Sequence, residues 1–202
     1  MDAETLGTYF PSYLTSDQKR LLADELRSFK DGMLYYTTMF PDDVLQGDGW
    51  TKFSLVDLDT GAGRNVRGII LSNTCDIDPD NNRILPVNVL FAPIISLAAY
   101  GQKLADAGMP PESIGDKMAA IRRQEITSMF FLPAGGRLAE EHIALLDNVH
   151  PMRVDRMYKT EGRTKLFTLS QGGAYLFLLK LSMHFCRFHD RVVRYPQANA
   201  AT

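Results

Sequence analysis

Gly61, Gly63, Arg64, Arg67 and Gly68 place two guanidiniums among three glycines in one short stretch of the chain. Glycine lets backbone approach a ligand closely, and the planar guanidinium fork fits phosphate oxygens, so the stretch reads as a loop that holds a polyanion. No Gly-Lys-Ser/Thr follows it, which separates it from the phosphate loop of nucleotide hydrolases. Other residues are also chemically capable. Asp76, Asp78 and Asp80 alternate as calcium-loop ligands do, but Asn81 and Val87 stand where such a loop needs Gly and Glu. An Asx-rich hairpin turn is expected there instead. His184, Cys186 and His189 fall at offsets of two and five, which do not share a helix face, so they read as ordinary helix positions rather than a zinc set. Cys75 could act as a nucleophile with a remote His142 or His150. The adjacent Asp76 disfavours the thiolate, however, and a small buried apolar residue is the expectation. The chain has no G-x-S-x-G elbow for a serine hydrolase.

Periodicity indicates the elements that must carry these residues. Residues 51–59 alternate, with Phe53, Leu55 and Asp57 on one face and Lys52, Ser54, Val56 and Leu58 on the other. A continuous apolar run at 68–73 predicts a buried strand, and 83–92 a third. Ser96 is expected to cap a helix ending near Gly108, and Pro110-Pro111 to open a second through about Gln124. Strands follow at 127–132, 142–150 and 165–169, the first two separated by a turn at Pro133, Gly135 and Gly136. Upstream, a helix starts near Thr15 and stops at Gly32, residues 35–41 form an aromatic linker, and 45–50 a turn. Ser170 caps a long helix to about Val193, followed by a frayed tail. That helix has two apolar flanks, one through Phe177 and Leu181 and one through Leu176, Leu179 and Met183. Burial between sheet and N-terminal helix would explain them, and so would a homodimer contact.

A 202-residue chain with 45% hydrophobic content supports one core. Its formal net charge of -2 supplies no global basic field, so any nucleic-acid contact must be local. Two distant cysteines, an acidic N-terminus, and an apolar stretch at 174–185 interrupted by Lys180 and His184 predict a soluble, cytoplasmic protein that does not enter a membrane.

Several short segments occur in a telling order. Gly47-Asp48 is followed by Leu55-Val-Asp-Leu-Asp59, Arg67-Gly68, Ile69-Ile-Leu-Ser72 and Ala92-Pro-Ile-Ile-Ser96. Then come Met129-Phe-Phe-Leu-Pro133, Ile143-Ala-Leu-Leu-Asp-Asn-Val149, Val154-Asp-Arg156, Gly162 and a helix after Leu169-Ser170. Together they resemble the MazF/PemK toxin family over roughly residues 45–185. The resemblance implies an α+β chain built on a small SH3-like antiparallel β-barrel, in one domain. Residues 1–44 would be a helical extension, 45–96 and 127–195 the barrel with its C-terminal helix, and 97–126 an inserted helix pair.

The resemblance also implies a homodimer that cleaves single-stranded RNA by 2'-hydroxyl attack without metal or cofactor, in a toxin-antitoxin or phage-related context and with an antitoxin-like partner. Arg67 would be the electrostatic clamp and Arg64 a phosphate contact. Ile95 falls where the family carries a catalytic Thr or Ser. Ser96, one residue along, is the candidate hydroxyl, and in a strand it faces away from Ile95. Trp50, with Tyr35, Tyr36 and Phe53, would offer planes for base stacking, and Arg153, Arg156 and Arg163 backbone contacts. The alternative is a catalytically silent barrel that binds protein, which Ile95 favours. In either case the inserted pair, with Lys103, Lys117, Arg122 and Arg123, would close the groove or widen its charged rim.

Overall fold

The computed structural model describes residues 34–57, 59–81, 84–85 and 87–185. The expected N-terminal helix, the C-terminal tail, Cys186 and His189 lie outside them. The described chain is α+β. Its strands are β1 (Tyr36–Thr37), β2 (Gly49–Val56), β3 (Gly63–Ile70), β4 (Asn88–Ser96), β5 (Met129–Leu132), β6 (His142–Leu145), β7 (His150–Arg153) and β8 (Lys165–Leu169). Its helices are α1 (Thr74–Ile77), α2 (Leu97–Asp106), α3 (Pro111–Arg122), α4 (Val154–Lys159) and α5 (Gln171–Phe185). None of the described helices is long and apolar enough to cross a membrane.

All strand pairings are antiparallel, in the order β1-β8-β2-β3-β4-β6-β5, with β7 also on β4. The sheet curls into a half-barrel whose edges approach each other. The Tyr36 hydroxyl on β1 donates to the Pro133 carbonyl just after β5 at 2.8 Å, and the Arg137 N–H donates to the Leu166 carbonyl on β8 at 2.8 Å. Gln124 completes the free edge of β5 by acting as a one-residue strand: its amide donates to the Phe131 carbonyl at 2.9 Å and accepts the Phe131 N–H at 3.1 Å. Pro93, which has no N–H, sits where β4 leaves β7 for β6, so its missing donor falls at a change of partner.

Three apolar clusters follow from the alternation of side chains. Ile69, Ala92, Ile94, Phe130, Ala144 and Phe167 fill the inside of the curl, with Phe177 of α5 among them. Phe53, Ile70, Val89, Phe91 and Met152 pack on the other face under α1 and α4. There Phe53 and Phe91 stack at 4.3 Å, over Gly68, where a Cβ would lie 2.6 Å from the Phe53 ring. Ile143, Phe131 and Met129 form the third with Leu97 and Ile121, so α2 and α3 lie on the outer face of β5 and β6.

Where boundaries differ from expectation, local hydrogen bonding gives the reason. The Asp57 carboxylate accepts the N–H groups of Thr60 at 2.9 Å and Asp59 at 3.0 Å, and the Gly61 N–H bonds the Asp57 carbonyl at 2.8 Å. The hairpin turn therefore closes by residue 62. Arg64, Arg67 and Gly68, expected in a loop, stand within β3. The strand expected at 83–92 runs from Asn88 to Ser96. The single strand expected at 142–150 is two, β6 and β7, because the Asn148 N–H turns back to the Leu145 carbonyl at 3.1 Å. Within the expected linker, Tyr36 and Thr37 pair with β8. Cys75, expected buried, is exposed on α1. An Asx turn follows α1, the Asp80 N–H bonding the Asp78 carboxylate at 2.9 Å.

Helix α5 starts where Ser170 accepts the Gly173 N–H at 3.1 Å. Lys180 on this helix is only 3% exposed and donates to the Gln124 carbonyl. Burial draws its pKa down to about 8, from an ordinary value of 10.5. Between those values the unfolded chain holds a proton that the folded chain has released. Stability from this group therefore rises with pH across that window, and the cost of a buried ammonium is fully felt below it. Lys180→Met should accordingly raise stability at neutral pH by about 2 kcal/mol and flatten the rise toward about pH 10, as read by urea denaturation at the two pH values.

Candidate functional site

The register of β4 against its neighbours sorts the candidate residues by face. Arg67 opposes Ile94, which opposes Ala144; Ser96 opposes His142, which opposes Leu132; Ile95 opposes Ile143, which opposes Phe131. Directly opposed residues share a face and neighbours along a strand alternate. Arg67, Ser96 and His142 therefore lie on the inner face at one end of the half-barrel, while Ile95 points outward into the cluster beneath α2 and α3. The Thr/Ser position suggested by the resemblance is thus filled by a packing residue, and the hydroxyl on the side of Arg67 belongs to Ser96.

Arg67 and His142 are in direct contact, Nη1 to Nε2 at 3.0 Å. The imidazole is 2% exposed, and its Nδ1 lies 2.7 Å from the Glu140 carbonyl. A guanidinium only donates and a carbonyl only accepts, so the network assigns the proton to Nδ1 and leaves the Nε2 lone pair facing Arg67. Arg67 itself is exposed. Arg122 is paired with Glu141, Arg123 with Glu125 and Arg153 with Asp155, whereas no carboxylate among the described residues lies within ion-pair reach of Arg67. Its positive charge is available to a ligand. Ser96 Oγ accepts the Ala99 N–H at 3.4 Å and so caps α2, a long bond that leaves the hydroxyl proton uncommitted.

Comparison with protein-family models and with curated proteins returns no match. The site rests on its own geometry.

The remaining candidates do not converge on this end. Arg64 is three residues from Arg67 on the same strand, so it projects from the opposite face. Trp50 pairs with Gly68 and packs beside Phe53 in the cluster under α1 and α4, with Lys165 Nζ 5.2 Å from its ring. Arg153 and Arg156 stand on β7 and α4, which cover that same cluster, and Arg153 is held by Asp155 at 3.0 Å. Arg163 is structural: it lies 5.0 Å over the Phe53 ring, donates to the Lys52 carbonyl at 2.8 Å and is half withdrawn from water. Burial lowers its pKa to about 10. His150 bonds Asn148 at 2.7 Å and His142 bonds Arg67, so neither imidazole serves Cys75. Sequence reading passed over His142 as a partner of Arg67. Its one usable signal was a position at the start of an expected strand, and nothing in the spacing links residues 67 and 142.

Proposed function

We propose that this chain is a MazF/PemK-like SH3-type barrel that binds single-stranded RNA at the Arg67 end of its curl and cleaves it by attack of the 2'-hydroxyl on the adjacent phosphate. In this reading it acts as a homodimer in a toxin-antitoxin or phage-related context. The observation that carries the reading is an exposed guanidinium without a carboxylate partner among the described residues, held 3.0 Å from a buried histidine nitrogen. A phosphate seated at Arg67 draws the guanidinium onto its oxygens and releases His142 Nε2 to accept the 2'-hydroxyl proton. Attack forms the O2'–P bond and breaks the P–O5' bond, leaving a 2',3'-cyclic phosphate and a 5'-hydroxyl that takes its proton from water. Arg67 stabilises the added charge on phosphorus, and Ser96 adds a hydroxyl on the same face.

The outward-facing Ile95 favours a second reading, a silent barrel that binds protein. Incubating the protein with a long unstructured RNA in excess chelator separates the two. The enzyme reading expects discrete fragments ending in 2',3'-cyclic phosphate, and RNA that stays intact alongside a co-purifying partner supports the binding module.

A further inference from the structure

A cleft of about 350 Å³ opens on the α2–α3 side at the end of the sheet that carries the Arg67–His142 pair, lined by Leu97, Ala98, Met118, Arg122, Ala134, Glu140 and Glu141. Leu97 follows Ser96 and Glu141 precedes His142 in the chain, and the link from cleft to site is Glu140, whose carbonyl holds the His142 ring at 2.7 Å. Most side chains in it are apolar. Its polar groups are not equivalent, because the charge of Arg122 is neutralised by a forked contact of its Nε and Nη2 to the two Glu141 oxygens at 2.7–3.0 Å. The Glu140 carboxylate has no hydrogen-bond or ion-pair partner among the described residues, while its own carbonyl anchors His142 Nδ1. The cleft therefore offers apolar walls and one free, acceptor-only group, tied through a single residue to the imidazole.

From this we infer that the cleft is a base-selecting subsite for guanine, an inference that rests on the RNA-cleaving reading above. An ionised carboxylate accepts hydrogen bonds and gives none. Guanine presents two parallel donors, N1–H and the N2 amine, and matches both carboxylate oxygens at once. Adenine and cytosine set an amine beside a ring acceptor. Uracil flanks its single N–H with two carbonyl oxygens, which the carboxylate repels. The flat faces of the base would lie against Leu97, Ala98 and Met118, in the manner of an unstacked nucleotide read along its Watson–Crick edge. A good bidentate pair discriminates by roughly 10-fold or more against the wrong base.

The test measures binding, so it does not depend on cleavage. Fully 2'-O-methylated uridine pentamers carrying G, A, C or U at the centre lack the attacking hydroxyl, and fluorescence anisotropy gives their affinities for the intact protein. The G pentamer should bind about 10-fold or more tightly than the U pentamer. Glu140→Gln should remove that preference, since a carboxamide turns a donor toward one of guanine's two donors. Ala98→Trp, which fills the cleft, should remove it as well. Arg67→Ala should weaken all four pentamers alike. Equal affinities in the wild type, or a guanine preference that survives Glu140→Gln, would overturn the subsite while leaving RNA binding intact. Failure of every pentamer to bind would overturn the RNA reading and the subsite together.

Discussion

Arg67→Ala is expected to slow RNA cleavage by about 10²–10³-fold without unfolding the protein, the loss that follows removal of one preorganised donor from a developing anion. The fold should survive because the guanidinium is exposed and packs in none of the apolar clusters; its one side-chain hydrogen bond among the described residues is to His142. Losing that contact leaves a buried ring nitrogen without its donor, at about 1 kcal/mol. Arg67→Lys should recover part of the rate, since an ammonium keeps the charge but not the planar fork. His142→Gln tests the other half of the pair. If the imidazole takes the 2'-hydroxyl proton, this variant should lose about 10²-fold or more and also lose the acid limb of the pH–rate profile. If His142 only positions Arg67, the rate should drop with the profile's shape unchanged. Initial rates on a fluorogenic RNA, with thermal unfolding as the control for integrity, measure both. Cleavage by Arg67→Ala at the wild-type rate would remove Arg67 from the mechanism.

The legible parts of the fold were those where one local cause decides the outcome. Alternation through Phe53 and Leu55 marked β2, and Ser96, Gly108 and Pro111 bounded α2 and the start of α3 almost to the residue, since caps and glycine stops act within a single turn. The hairpin between β2 and β3 closes earlier than its glycine content suggests, because the Asp57 side chain decides where the turn ends. That shift changed the chemistry inferred for the segment. Arginines in a loop can converge, but within a strand Arg64 and Arg67 cannot, because an odd spacing puts them on opposite faces. The pairing of Arg67 with His142 depends on β4 exchanging β7 for β6 at Pro93, a tertiary event with no signature in either segment. The two-residue β1 is likewise visible only through its partner β8.

A second large effect is expected at Asp48, the residue that precedes β2. Asp48 is fully buried; its Oδ2 lies 2.9 Å from Lys165 Nζ and accepts the Leu45 N–H at 2.9 Å. Lys165 has no spare donor, since it also reaches the Phe40 carbonyl at 2.6 Å and the Thr168 hydroxyl at 3.1 Å. Asp48→Ala strands a buried ammonium and Lys165→Met a buried carboxylate, so each should cost about 3–5 kcal/mol in urea denaturation. The double variant should cost less than the sum by about 2 kcal/mol, because it leaves neither charge unpaired. The two single variants should differ in pH dependence. Burial already pushes the Asp48 carboxyl above the usual carboxylate range, against the Leu45 N–H and Lys165. Removing Lys165 withdraws one of those opposing influences and raises it further. A folded-state value above the unfolded one means that the folded chain takes up the proton first, so acidification through that window relieves the cost. The deficit of Lys165→Met should therefore shrink as the pH is lowered from neutral, while that of Asp48→Ala should not. A Lys165→Met deficit that grew on acidification would mean that Asp48 is stabilised as an anion by something other than Lys165.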